Sequence, residues 1–147
     1  MTAHTAVDVD ADVAIVGFGP VGTTLGALLA RRGLRVVAVD RDAELFPLPR
    51  AAHFDHEIMR ILQEVGCAET VAPATIVNAG MDFLTADRQV LLSMRPPATT
   101  GSGWPASIMF HQPGLEQPMR DAAVAHGLQT RLGVAVSDVV DHGDHVT

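Results

Sequence analysis

Asp12-Val13-Ala14-Ile15-Val16-Gly17-Phe18-Gly19-Pro20-Val21-Gly22 is the stretch on which the reading of this chain turns. A short apolar run passes straight into G-x-G-x-x-G, and Asp40 closes a second apolar run, Val36 to Val39. The glycine pattern alone is weak. Between a strand and a helix, with an acid about 20 residues further on, it is a dinucleotide-binding fingerprint. Gly17 permits the tight turn off the first strand, Gly19 lets the backbone approach a pyrophosphate, and Gly22 lets the next helix pack closely. The helix start at Pro20 and Val21 presents N–H groups and partial positive charge to phosphates. Pro20 is tolerated there because a first-turn N–H has no intrahelical acceptor to lose. Asp40 is placed to accept from both ribose hydroxyls and would repel a 2′-phosphate, which argues against NADP. A glycine-rich turn in an unrelated α/β protein is the competing reading.

The bulk properties are compatible with one domain. The chain has 147 residues, is 48% apolar and carries a net charge of −7. That composition argues against disorder, and the acidic balance without a Lys/Arg cluster argues against nucleic acid as a partner. Val13 to Ala30 lacks charges, but its glycines, Pro20 and two threonines make strand–turn–helix a better account than a membrane span. Met1 to Ala11 is polar and has neither part of a signal peptide. A single cysteine, Cys67, excludes an internal disulfide framework. The expectation is a soluble cytoplasmic protein that uses no membrane.

Further along, Thr23 to Arg32 reads as a helix stopped by Gly33, and Leu34 to Val39 as a second strand, completing a βαβ unit. Residues 41–50 form a proline-containing loop. A second helix starts at the N-cap Asp55, carries Ile58, Ile61, Leu62 and Val65 as its apolar stripe, and ends at Gly66. Ala79 to Met94 reads as a hairpin turning at Ala86-Asp87-Arg88, and residues 95–105 as a loop. Ser107 to Phe110 is a short strand. A third helix carries Leu115, Met119, Ala122 and Ala123 on its apolar side; Pro118 predicts that regular helix begins within the three residues before it. Leu128 to Leu132 is a candidate third parallel strand, and Val134 to Val146 reads as two short strands around a turn.

With Gly17 to Gly22, Asp40, Arg50 and Gln112 in view, the chain resembles the N-terminal part of the FAD-dependent aromatic hydroxylases related to para-hydroxybenzoate hydroxylase. The nearest-looking branch is 3-(3-hydroxyphenyl)propionate hydroxylase. Besides the first block, the carriers are Leu48-Pro49-Arg50-Ala51, His53-Phe54-Asp55-His56-Glu57, Gly103-Trp104-Pro105 and Phe110-His111-Gln112-Pro113. The resemblance implies FAD as cofactor, NAD(P)H as co-substrate and a small phenolic substrate. It implies that Arg50 sits near the FAD pyrophosphate and flavin, Arg41 beside the adenosine, and Gln112 in a hydrogen bond to the cofactor. Read alone, Arg50 is equally a solvated loop arginine and Gln112 a helix-start residue bonding its own backbone. The flavin carries the chemistry in that family, so no catalytic side chain is named. The implied fold is α/β: the N-terminal half of a Rossmann-like FAD-binding domain, with a parallel sheet, a βαβ unit and a β-hairpin insertion. It is incomplete, with residues 1–11 as a disordered tail and 12–147 as the partial domain.

Two clusters look ligand-like. His53, Asp55, His56 and Glu57 read as a capped helix start before a metal site, and Asp138, Asp141, His142, Asp144 and His145 as a hairpin turn. No metal is expected. Cys67 reads as a packed thiol, and Trp104 either borders a substrate pocket or plugs its loop onto the core. The family's later Asp-Gly and Gly-Asp segments are absent from these 147 residues. The chain is therefore expected to be a fragment that binds FAD weakly, if at all, and does not turn over alone. A nicotinamide-dependent dehydrogenase or reductase, and a non-catalytic nucleotide-binding module completed by a partner chain, are the alternatives.

Overall fold

The computed structural model describes residues 10–147; of the tail expected over residues 1–11, residues 1–9 lie outside the described part. In chain order the elements are β1 (Val13–Val16), α1 (Pro20–Ala30), β2 (Val36–Asp40), β3 (His53–Asp55), α2 (His56–Val65) and α3 (Ala68–Val71). A 3-10 turn (Ala72–Ala74) leads to β4 (Ile76–Val77), β5 (Met81–Leu84), β6 (Val90–Met94), β7 (Ser107–Met109), α4 (Gln112–Ala125) and β8 (Gln129–Leu132). The described chain divides into two compact units, the first formed by residues up to Leu45 together with Ala123–Thr147, the second by Phe46–Ala122.

The first unit is the expected βαβ unit with its third parallel strand. β1 pairs with β2 from Val13↔Val36 to Val16↔Val39, and β2 pairs with β8 from Val37↔Gln129 to Asp40↔Leu132, all parallel. α1 buries Thr23, Gly26, Ala27 and Ala30, the i, i+3, i+4, i+7 face of a helix. That face is made of small residues because it lies close to its neighbours. A Cβ at Gly26 would stand 2.9 Å from Leu128 Cδ1 and 3.4 Å from Ile15 Cδ1. Gly33 ends the helix at φ +83°, the left-handed stop expected of it. Opposite the helix start, Asp12 clasps Arg35: its Oδ2 accepts from Arg35 N at 2.8 Å and its Oδ1 from Arg35 Nη2 at 2.8 Å.

In the second unit β3, β7 and β4 form an antiparallel sheet with β7 in the middle, and β5 pairs with β6 as the expected hairpin. Asp55 caps α2, its Oδ1 accepting from Glu57 N and Ile58 N at 3.0 and 3.2 Å. Gly66 closes α2 at φ +89°, with Cys67 N donating to Leu62 O, the i→i−5 bond of a Schellman stop.

Three expectations need correction. The buried stripe of α2 is Met59, Leu62 and Val65, while Ile58 and Ile61 are exposed; the face of an amphipathic helix that is buried is set by the elements packed against it, not by its own cap. α4 begins at Gln112 and contains Pro118. An interior proline costs about 3 kcal/mol, but burying Leu115 and Met119 contributes roughly 1.5–3 kcal/mol each, and both are buried. Past β8 the two strands expected over residues 134–146 are reduced, among the described residues, to one bridge between Asp141 and Val146. The turn between them is closed by Gly143 N donating to Asp141 Oδ1 at 2.8 Å. With no third strand beside it, this pair does not extend.

Candidate functional site

The phosphate-type turn of the first unit is built by three local constraints. Gly17 takes φ +105°, a conformation that side chains resist. Gly22 lies so close to the turn that a Cβ would stand 2.0 Å from Gly17 O. Asp40, at the end of β2, reaches back across the loop, and its Oδ2 accepts from Phe18 N at 2.6 Å. Its Oδ1 accepts from Asp42 N at 2.9 Å. The acid that the sequence assigns to a ribose is therefore also the strap of the turn. Each carboxylate oxygen has two acceptor positions, so the strap alone does not exhaust them.

The turn fits a pyrophosphate. Gly19 is the N-cap of α1, with φ −80° and no side-chain cap, and a Cβ there would meet no atom within 4 Å. The space in front of the turn is open. Pro20 occupies the first turn, and Val21 beside it is 82% exposed. The first-turn N–H groups of an uncapped helix start are donors for an anion. Arg41 follows Asp40 directly and is exposed.

In the second unit Arg50 and Gln112, 62 residues apart, are brought together. Gln112 is buried, and its Oε1 accepts from both Arg50 N and Ala51 N at 2.8 Å. Its Nε2 donates to the buried Glu116 Oε1 at 2.6 Å. The Arg50 guanidinium stacks on Phe46 at 4.8 Å from the ring centroid. Gln112 thus bonds backbone, as its local reading allowed, but the backbone of a distant loop rather than its own. Glu116 escaped the sequence reading; its i, i+4 spacing from Gln112 was the available signal.

The second unit also holds a cavity of about 400 Å³ whose lining includes His53, Asn78, Met81, Met94, Arg95 and Ser107. Ser107 Oγ is the hub of its polar side, 2.6 Å from His53 Nε2 and accepting from Asn78 Nδ2 at 2.9 Å. No sequence spacing announced this cluster, because β3, β7 and the residue after β4 meet only through sheet pairing. Trp104 is tied to α2 through Nε1, which donates to Gln63 Oε1 at 2.9 Å, so the indole pins its loop to that helix. Among the described residues no three His, Cys, Asp or Glu side chains are gathered as a metal site, and none of the helices is long and apolar enough to cross a membrane. Cys67 is buried, and burial pushes its thiol up to about 11.

Residues 10–147 match the family of FAD binding domains. The chain belongs to that family. Its FAD-binding domain is 41% identical over 129 residues to a probable NADH-specific resorcinol 4-hydroxylase of Rhodococcus jostii (strain RHA1), covering 87% of this chain and 24% of the relative. It is 40% identical over 131 residues to a 3-(3-hydroxy-phenyl)propionate/3-hydroxycinnamic acid hydroxylase of Mycobacterium avium (strain 104), covering 89% and 22%. Among solved structures, aklavinone-11 hydroxylase in complex with FAD and aklavinone superposes with a TM-score of 0.77 at 27% identity, over 94% of this chain and 28% of that one. The p-nitrophenol 4-monooxygenase of Pseudomonas putida DLL-E4 shares the fold, with a TM-score of 0.80 at 18% identity, over 90% of this chain and 34% of that one. The FAD-binding domain here thus spans about a quarter of the length of these two curated relatives.

Proposed function

We propose that this chain is the FAD-binding portion of a flavin-dependent monooxygenase that hydroxylates a small phenolic ring with reduced nicotinamide and O2. The observation that carries the reading is the 41% identity, over 87% of the chain, to a relative named as a resorcinol 4-hydroxylase. In this reading Gly17, Gly19, Pro20, Val21 and Gly22 cradle the pyrophosphate, Asp40 accepts from the ribose, and Arg41 lies beside the adenosine. Arg50 offers a guanidinium to phosphate oxygens near the flavin, a pairing its planar fork suits. Gln112 belongs with Arg50. When bound, FAD would supply the redox chemistry, two electrons from the nicotinamide used with O2 so that one oxygen atom goes to the ring and the other leaves as water. The protein's part is to bind, orient and keep water out, so no side chain is assigned as a nucleophile. NADH is the favoured donor, because the Rhodococcus relative is named NADH-specific.

The cavity at His53 supports a small aromatic substrate. Its volume of about 400 Å³ lies in the range of ligand pockets, which pair apolar walls with a few placed polar groups. Met81 and Met94 supply such walls, and the His53–Ser107 pair can exchange hydrogen bonds with a ring hydroxyl. The exposed apolar side chains of β5 and β6, among them Phe83, Leu91 and Leu92, support a reading in which further polypeptide covers the hairpin and this chain does not turn over alone.

The test is a visible spectrum of the purified chain titrated with FAD, followed by NADH-driven oxygen uptake with resorcinol. A flavin spectrum perturbed on binding, without turnover, is the expected result. Tight NAD binding with no affinity for flavin would overturn the assignment.

A further inference from the structure

Glu116 is a buried carboxyl group that the reading above leaves unused. It is 5% exposed, one helical turn from Gln112 on α4. A carboxyl group is kept in such a place only where its acceptors are satisfied, and Glu116 Oε1 accepts from Gln112 Nε2 at 2.6 Å. The consequence lies at the other end of the amide. A carboxylate only accepts, so it selects the NH2 end of Gln112. That choice turns Gln112 Oε1 toward Arg50 N and Ala51 N, which it receives at 2.8 Å each. With the amide reversed, an oxygen would face the carboxylate and an NH2 would face two N–H donors, so all three bonds would be lost.

The segment held in this way has little else to define it. Residues 41–52 form neither helix nor strand, so the backbone of Arg50 depends on bonds from outside the segment. Phe110 N donates to Ala52 O at 2.9 Å on one side, and Gln112 takes the N–H groups of Arg50 and Ala51. We infer that Glu116 is a positioning residue for FAD: by fixing the direction of the Gln112 amide, it fixes the backbone from which Arg50 presents its guanidinium to the cofactor. The inference rests on the role proposed above for Arg50. It makes the buried Gln112–Glu116 pair a support for a cofactor contact rather than a device of helix stability.

The experiment has two arms on the purified chain. In the first, amide hydrogen exchange is followed by NMR without FAD in the wild type, Glu116→Met, Glu116→Gln and Gln112→Met. Methionine fills a similar volume without a charge, and replacing buried ionic groups by well-packed apolar ones is often tolerated. Glu116→Met and Gln112→Met are each expected to speed exchange at Arg50 and Ala51 by about ten-fold, the effect of one lost hydrogen bond, while amides of β2 stay as in the wild type. Glu116→Gln keeps an acceptor oxygen and is expected to restore protection to within about three-fold. In the second arm FAD is titrated by flavin fluorescence. Glu116→Met is expected to weaken binding by about ten-fold in the wild type and to have no further effect in an Arg50→Ala background. Unchanged exchange at Arg50 and Ala51 in Glu116→Met, or an undiminished effect on FAD in the Arg50→Ala background, overturns the inference. If the wild type binds NAD tightly and no FAD, the FAD reading itself fails, and the exchange arm still decides whether Glu116 holds the Arg50 backbone.

Discussion

The Asp40 carboxylate accepts a hydrogen bond from Phe18 N at 2.6 Å, joining the end of β2 to the centre of the glycine turn. The acid of a dinucleotide fingerprint is usually considered for what it does to the ribose. Here it also shapes the loop that faces the phosphates, since Phe18 lies between Gly17 and Gly19. The turn and the ribose contact proposed for Asp40 would therefore be coupled through one side chain.

Asp40→Ala removes that strap and the bond to Asp42 N together. The bond to Asp42 N is exposed and contributes little, while a hydrogen bond to a charged group such as the strap is worth about 1.5–3 kcal/mol, so unfolding in urea should shift by about that amount, and the amide of Phe18 should lose its exchange protection. Asp40→Asn keeps one acceptor oxygen and should lose less. Equal loss in both variants would show that the charge, not the geometry, holds the turn.

Gly19 and Gly22 should separate binding from folding. A Cβ at Gly22 would press on Gly17 O at 2.0 Å, whereas one at Gly19 meets nothing within 4 Å. Gly22→Ala should destabilise the chain by about 1–3 kcal/mol, the ordinary cost of overpacking. Gly19→Ala should change stability by less than about 0.5 kcal/mol and still weaken FAD, because its methyl occupies the space a pyrophosphate needs. Thermal melts paired with flavin titration read both effects.

The Asp12–Arg35 clasp makes a signed prediction about pH. The Arg35 side chain, and then its backbone N–H, hold the Asp12 carboxyl below its ordinary value of 3.8. A lowered carboxyl stabilises the fold above its unfolded value, and that contribution disappears as pH falls through the folded one. Wild type should melt above Asp12→Asn at pH 7, and the gap should close as the pH is taken well below 3.8. The pair is exposed, so the gap should also shrink in high salt.

Cys67 predicts the opposite edge. Burial lifts its thiol from 9.0 to about 11, so the folded chain holds this proton after the unfolded chain has released it. Its contribution to stability is complete below about pH 9 and falls between about 9 and 11. Cys67→Ala should remove that part of the pH dependence. At pH 8 a thiol reagent should label native protein far more slowly than urea-unfolded protein.

How much was legible beforehand depended on the range over which each feature is decided. β1, Gly33 and Gly66, the Asp55 cap and the β5–β6 hairpin are settled within a few residues, by steric limits on φ and by local hydrogen bonds, and the sequence predicts each of them. Parallel β8, polar and exposed along Gln129–Leu132, could be anticipated because Gly127 stops the helix just before it and a strand then continues the βα alternation. α4 could not be bounded, since the penalty at Pro118 is local while the compensation, the burial of Leu115 and Met119, is not. Ile58 and Ile61 read as core, and Met59 went unnoticed, for the same reason.

The sequence by itself determined that this chain carries a phosphate-type turn between a strand and a helix, with Asp40 at the right separation, because those features are properties of adjacent residues. Only the tertiary structure decided what the polar side chains do with one another. It bent Asp40 back to Phe18, set Ser107 between His53 and Asn78, and led from Glu116 through Gln112 to the backbone of Arg50. Hydrogen bonds across 22, 54 and 62 residues depend on which strands and helices lie side by side. That choice is made by burying apolar surface, which has no direction; the directional bonds then form between whatever polar groups the packing has brought within reach.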